Sequence, residues 1–291
     1  MSDYVISCCS TVDLGREQLE NRDIKYIYFH YELDGTHYDD DLWETMSSEE
    51  FYRAMEEGAD TKTSQVNAGE FEEYFEKFLK EGKDIVHVTL SSGISGVLNS
   101  ALIARDILKE RYPERNIYVI DSLNASVGYG LLMDKLADLR DEGMSAEALA
   151  EWTETNKNRI QGWFFVTDLK YLVRGGRVSK VAGFMGNVLN ICPLLHIDEE
   201  GKLIPKQKIR GKKKVIDAQV GQMELFADDA HAYAQKAYIV HSACEEDAQK
   251  VASVVSERFP NAEVHVFTIG PTIGSHTGPG TVGLFFWGHR E

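Results

Sequence analysis

Hydrophobic positions along this chain change period several times, and each change marks an element. Residues 4–7 and 25–31 alternate or run apolar over strand lengths, and Asp34-Gly35 is a turn signal that closes a small hairpin toward Tyr38. Ser47 or Ser48 caps a short helix, with Glu49 and Glu50 beside it and Phe51, Tyr52 and Met55 as its apolar side. Residues 58–67 read as a polar loop. Asn67 caps a helix over 68–81, whose Phe71, Tyr74, Phe75 and Phe78 share one face, and Gly82 ends it. Residues 85–90 are a short apolar run rich in β-branched side chains, which reads as a buried strand. Helical spacing returns over 97–112, with Leu98, Leu102, Ile103, Ile107 and Leu108 on one side. Residues 116–121 read as a further buried strand and 124–140 as a long helix ending near Gly143, after which Ser145 caps a helix reaching about Asn158.

Strands alternating with helices to this point imply an open, largely parallel α/β sheet. The rhythm then changes. Residues 161–167 read as a strand, 174–177 as a glycine-rich segment, and 194–197 and 202–209 as strands about a turn at 199–201. A helix over 212–226, a strand over 237–242, a helix over 245–259 and strands over 263–268 and 281–287 complete the chain. Antiparallel strands with helices on one side predict a separate α+β unit. The expected fold is thus α/β and two-lobed: an N-terminal, largely parallel α/β domain over 1–158, a C-terminal α+β domain over 159–291, and a ligand in the inter-domain cleft.

The junction at residues 85–112 carries the first candidate chemistry. A strand passes through Ser91-Ser92-Gly93-Ile94-Ser95-Gly96 into a helix, so free N–H groups and the positive helix end point at whatever sits above the strand tip. The loop has no lysine, as a nucleotide-binding P-loop would, and no G-x-G-x-x-G. Its serines can hold one carboxylate or phosphate without adding charge. The plainer reading, with Ser95 a helix cap and Gly93 and Gly96 turn formers, stands beside it.

Charge narrows the partners. Lys plus Arg is 31 against 47 Asp plus Glu, a net charge of −16, and a strongly acidic body repels phosphate backbones, which disfavours nucleic acid. The exception is the basic run Lys206-Gln207-Lys208-Ile209-Arg210-Gly211-Lys212-Lys213-Lys214, either a solvated segment or a docking patch for an acidic partner or anionic surface. No apolar run approaches the ~18 residues of a membrane span. Residues 1–7 carry Asp3 and no basic stretch, so no signal peptide is expected and the expected location is cytoplasmic. Cys8 and Cys9 are adjacent, and Cys192 and Cys244 lack metal-ligand spacing, so all four read as small buried hydrophobes.

Five segments share a small, hydroxyl-rich or glycine-rich character at predicted strand ends: Thr63-Ser64-Gln65, residues 91–96, 121–130, Arg174-Gly175-Gly176-Arg177, and 270–280 with its His276-Thr277-Gly278-Pro279-Gly280. With Leu169-Lys170-Tyr171-Leu172 and Asn190-Ile191-x-Pro193-Leu194-Leu195, they make the whole chain resemble the DegV family, the fatty-acid-binding proteins that serve bacterial fatty-acid kinase. The resemblance implies one long-chain fatty acid held between the lobes, no cofactor, no metal and no chemistry by the chain itself. It implies that the acid is presented to a separate ATP-dependent kinase subunit, which makes the acyl phosphate; transient contact with a membrane surface is compatible with that role. It places the carboxylate against Thr63, Ser64 and the serine loop (Ser92 or Ser95, with Gly96). His276 and Thr277 complete that network, with Arg174 and Arg177 supporting it or facing the partner. Three departures from the family pattern stand out: Cys9 where an aspartate is usual, Val66 where a proline follows Thr-Ser-Gln, and Cys192 where a lysine precedes Pro193. The first puts any role of that aspartate in doubt, and the last removes a positive charge.

Energetics point the same way. Burying a C16–C18 tail at ~0.8 kcal/mol per methylene gives on the order of 12 kcal/mol gross, so the headgroup needs only to avoid its desolvation penalty. Neutral donors do this while leaving the carboxylate oxygen nucleophilic, whereas a bidentate arginine would withdraw its charge. Phe184, Met185, Val188 and Leu189 are candidates for the tail pocket, with ordinary core packing the alternative. The competing function is a serine esterase or acyltransferase using Ser92 or Ser95 with His276, but no G-x-S-x-G elbow is present.

Overall fold

A computed structural model describes residues 4–179 and 190–289; the four tail candidates 184, 185, 188 and 189 lie outside them. The N-terminal half builds one parallel sheet from β1 (Tyr4–Cys9), β2 (Ile24–Ile27), β6 (Asp84–Thr89) and β7 (Ile117–Asp121), in the order β2-β1-β6-β7. The short helix α1 (Arg16–Asn21) connects β1 to β2. Helices α3 (Ala68–Lys80), α4 (Val97–Arg111), α5 (Val127–Asp141) and α6 (Ala146–Asn156) pack on this sheet. Asn67 caps α3 as expected, accepting from the Gly69 and Glu70 N–H groups while Glu70 reaches back to the Asn67 N–H.

The predicted strand over 25–31 is two strands in two sheets. β2 stops at Ile27, and β3 (His30–Leu33) starts a small antiparallel sheet, β4-β3-β5, with β4 (Thr36–Asp39) and β5 (Thr61–Ser64). Between them Phe29 is buried, and its N–H donates to the Ser10 hydroxyl at 3.0 Å. Helix α2 (Ser48–Glu56) follows β4, with the capping box of Ser47 and Glu50. β5 corrects the polar loop read over 58–67. Its residues offer no apolar alternation, and pairing with β3 creates the strand, with Thr63 opposite Tyr31.

From Ile160 onward the chain forms a six-stranded sheet in the order β10-β9-β8-β13-β11-β12. Its strands are β8 (Ile160–Phe165), β9 (Ile191–Ile197), β10 (Leu203–Arg210), β11 (Lys236–His241), β12 (Glu263–Thr268) and β13 (Val282–Trp287), antiparallel except for the parallel pair β11–β12. Helices α8 (Lys212–Phe226) and α9 (Glu245–Arg258) lie on it, and α7 (Lys170–Arg174) follows β8. Helix α5 joins the two large sheets, touching β1 on one side and β8, β11 and β13 on the other. Most of its residues are buried, with the charged ones gathered toward its C-terminal half, as befits a helix enclosed between layers. It starts at Val127 rather than 124, because Ser126 has φ 54 and the Asn124 amide is used instead to donate to the Ile160 carbonyl.

A further helix, α10 (Pro271–Thr277), occupies part of the segment read as loop. Pro271 suits its first turn, where no N–H is needed, and it packs on α2, α7, β3 and β5. Cys8, Cys9 and Cys192 are buried and Cys244 half-buried, all as free thiols. Cys9, at the position of the family's aspartate, lies with its Sγ 3.8 Å from the buried His87 Nε2.

Candidate functional site

The small sheet, the six-stranded sheet and the loops that follow the parallel strands line one cavity of ≈ 360 Å³, inside the roughly 300–1,000 Å³ range of small-molecule sites. Its walls are mostly apolar, with Phe29 and Leu90 from the N-terminal half and Phe164, Ile197, Leu203 and Phe285 from the six-stranded sheet. Polar side chains gather where β5, α10, the serine loop and the turn after α7 meet: Thr63, Ser64, Gln65, Ser95, Arg177, His276 and Thr277.

Thr63 Oγ1 and His276 Nε2 are 2.7 Å apart. The other ring nitrogen, Nδ1, is buried without a hydrogen-bond partner and lies against Gly175, where a Cβ would overlap it. Burial, reinforced by the positive charges of Arg177 and then Arg174, lowers the His276 pKa to about 4, so the ring is neutral at pH 7. A buried N–H without an acceptor is rarer than a buried lone pair without a donor. That places the single ring proton on Nε2, donating to Thr63, with the bare Nδ1 against Gly175, which stands between Arg174 and Arg177 in sequence. Thr63 then has its own hydroxyl proton left for a ligand.

Ser95 sits at the start of α4. Its hydroxyl accepts from the Val97 N–H at 3.2 Å and donates to Gln65 Oε1 at 3.4 Å, while the Gln65 amide donates to the Ser100 hydroxyl at 3.0 Å. Arg177 donates to the carbonyls of Ile94 (3.2 Å) and Gly175 (2.6 Å). No carboxylate pairs with it among the described residues, and burial lowers its pKa. Thr277 is buried and returns its hydroxyl to the Ile273 carbonyl at 3.2 Å. The site is therefore a cluster of neutral polar side chains in which the Thr63 hydroxyl keeps a proton to donate, with one guanidinium beside it, opening into an apolar volume. This arrangement suits a ligand with one anionic head and an apolar body.

Not every expected residue comes to the cavity. Ser92 is exposed, and its N–H donates to Asp121 Oδ1 at 3.1 Å on the other side of the loop, so Ser95 and not Ser92 lines the cavity. Gly96 is exposed outside the lining. Arg174 is also exposed, donating to Thr61 Oγ1 (3.2 Å) and pairing with Asp60 (3.5 Å) while stacking over Tyr171. The serine loop is instead held by Ser91, which donates to the Gly201 carbonyl at 2.9 Å and accepts from the Gly93 N–H at 3.0 Å. A Cβ at Gly93 would lie 2.6 Å from the Glu200 and Gly201 carbonyl oxygens, so glycine is what lets the loop touch the β9–β10 turn. Sequence reasoning had not singled out Ile94, Ser126, Thr272, Thr281 or Phe285, which also line the cavity. Ile94, Ser126 and Thr272 stood inside segments already noted, without being picked out there.

The esterase arrangement is not assembled. His276 meets a threonine rather than a serine, and Nδ1, where a triad acid would bind, faces Gly175. Among the described residues no three metal-ligating side chains cluster, and no helix is long and apolar enough to cross a membrane.

Comparison with known proteins follows this geometry. The family described as an uncharacterised protein of the DegV family matches residues 6–288. A DegV domain-containing protein of Clostridium perfringens is 36% identical over 291 residues, covering 100% of this chain and 99% of its own length. A DegV family protein of Thermus thermophilus, solved for its fatty acid binding, is 27% identical with a TM-score of 0.86, over 98% of this chain and 99% of that one. The Streptococcus pneumoniae Fatty Acid Kinase (Fak) B3 protein, solved with linoleic acid, is 24% identical and shares the fold at a TM-score of 0.84, over 99% of each chain.

Proposed function

The chain belongs to the DegV family, and from that premise we propose that it binds one long-chain fatty acid and presents the carboxylate to a separate ATP-dependent kinase subunit. The observation that carries this reading is the polar end of the cavity, where Thr63, Ser95 and a neutral His276 face an otherwise apolar volume with Arg177 behind them. The tail supplies affinity through burial. The hydroxyls satisfy the carboxylate without neutralising it, which leaves an oxygen able to attack a γ-phosphate. The chain itself performs no chemistry in this reading, and among the described residues His276 meets Thr63 rather than a serine. The relatives of known structure favour the same ligand class: the Thermus thermophilus protein binds fatty acid, and the Streptococcus pneumoniae protein of this fold is named for a fatty acid kinase and holds linoleic acid. We place the division between the lobes near residue 158, ahead of β8, and the protein in the cytoplasm, where it meets membranes only transiently while loading.

The test is native mass spectrometry of the purified chain, then lipid extraction and an ATP-consumption assay with the host's fatty-acid kinase. One fatty acid per chain, and ATP consumption only when both proteins are present, is expected. A folded, lipid-exposed sample that yields no fatty acid, or ATP turnover by this chain alone, overturns the reading.

A further inference from the structure

Three glycines from three elements converge on one aromatic ring of the cavity wall. A Cβ built on Gly128 of α5 would lie 2.6 Å from Phe285 Cδ1, one on Gly162 of β8 2.8 Å from its Cε1, and one on Gly283 of β13 2.7 Å from its Cε2. Side chains do not approach each other that closely in a packed interior, so the absence of each Cβ is the space the ring fills. Backbone surrounds Phe285 on these sides and cannot swing aside as a side chain would. The residue is 3% exposed and lines the cavity, together with Thr281 and Gly283 on the same face of β13.

Position gives the ring its meaning. Thr281 donates to the carbonyl of Thr277, the residue after His276, so that end of β13 lies beside the polar cluster. Phe285 is four residues further along the strand, about 13 Å away at the ordinary rise per residue. An acyl chain anchored at Thr63 and His276 and lying along β13 meets an aromatic wall that cannot retreat. We propose that Phe285, seated by Gly128, Gly162 and Gly283, is the residue that limits the length of the acyl chain the cavity accepts. The proposal rests on the fatty-acid reading above and assigns the selectivity of that same site.

Lipid-free parent, Phe285→Ala, Phe285→Leu and Gly283→Ala are each offered an equimolar mixture of saturated fatty acids of graded length, and the bound acids are extracted and weighed by mass spectrometry. Phe285→Ala should move the preferred length up by about two methylenes, which at the usual worth of a buried methylene raises the ratio of the longer acid to the parent's choice roughly tenfold. Phe285→Leu should move it the same way by less. Gly283→Ala, whose new methyl overlaps the ring where both residues line the cavity, should move it toward shorter acids. Should Phe285→Ala fail to fold, the opposed shifts of Phe285→Leu and Gly283→Ala decide the matter. A parent that binds and folded variants with its unchanged length profile, or both substitutions shifting preference in one direction, overturn the role of Phe285 and leave the carrier reading standing. A parent that takes up no acid at all overturns the carrier reading, and this proposal with it.

Discussion

Thr63 and His276 lie 213 residues apart in the chain and share a 2.7 Å hydrogen bond in the lining of an apolar cavity. One comes from a strand in the N-terminal half, the other from a helix beyond β12. The bond therefore exists only when the halves are docked, and with His276 Nε2 as the donor it leaves the Thr63 hydroxyl proton for a ligand. Replacing Thr63 with Val keeps the shape and removes the donor. A buried carboxylate that loses one hydrogen bond loses about 1–3 kcal/mol, so Thr63→Val should weaken fatty-acid binding by roughly five- to 150-fold. The double variant with Ser95→Ala should be weaker still. Displacement of a fluorescent fatty acid from lipid-free protein measures this, and parent-like affinity in the double variant would mean the carboxylate sits elsewhere.

The protonation of His276 gives a second handle. Its folded-state pKa of about 4 lies below the ordinary 6.5 because burial and two arginines oppose the charged form. The folded state thus binds this proton more weakly than the unfolded chain does. The stabilisation is complete above pH 6.5 and is lost as pH falls from there through about 4, amounting to about 3 kcal/mol. His276→Gln should lose less melting temperature than the parent between pH 7 and pH 4.5. His87, whose pKa burial lowers to about 3, acts with the same sign but is common to both proteins. Equal acid sensitivity in parent and variant would contradict a neutral His276, as would NMR titration of its ring near pH 6.5.

Asp40 should behave in the opposite sense. Burial pushes its carboxyl up from 3.8 to about 6, partly opposed by the nearby polar groups of Thr272 and Ser10 and reinforced by Asp41. The folded state here holds the proton more tightly than the unfolded chain. This group's contribution to stability is therefore present below about pH 4 and is lost as pH rises through 6, at a cost of about 3 kcal/mol. Asp40→Asn removes that dependence. Its melting temperature relative to the parent should improve steadily from pH 4 to pH 7, and a gap that stays flat or narrows would show that Asp40 ionises without penalty.

The fold was largely readable because long apolar periods and well-formed caps carry their own signal. Asn67 with Glu70, and Ser47 with Glu50, begin the helices that hydrophobic spacing foretells. The site was less readable where it is built by docking. β5 holds Thr63 but has the pattern Thr-Lys-Thr-Ser, and nothing local marks it as a strand until β3 lies beside it. Helix α10 is short and rich in glycine and threonine, so His276 looked like a loop residue. Ser92 and Ser95 are indistinguishable as letters. Only the course of the loop, fixed by Ser91 on the Gly201 carbonyl, turns the first outward and the second toward the cavity. Nor could spacing reveal that Gly128, Gly162 and Gly283 serve one ring, because that contact joins three elements.

The last prediction concerns the partner. β10 is an edge strand of the six-stranded sheet, and with the start of α8 it exposes Lys206, Lys208, Arg210, Lys213 and Lys214 on a chain whose net charge is −16. Lys212 is committed to the fold, pairing with the buried Asp247 at 2.5 Å. Lys213 and Lys214 are the residues to reverse, since neither touches the cavity. A basic patch on an acidic body steers an acidic partner mainly through the association rate, and salt screens that steering beyond about 10 Å at 0.1 M ionic strength. If the kinase docks here, Lys213→Glu with Lys214→Glu should slow acyl-phosphate formation several-fold at low salt and little at high salt, with fatty-acid affinity unchanged. ATP consumption at limiting kinase, run for both proteins across a salt series, measures this. Equal rates at low salt would remove the patch as the docking site. A loss that persists at high salt would instead point to damage in the helix that begins at Lys212.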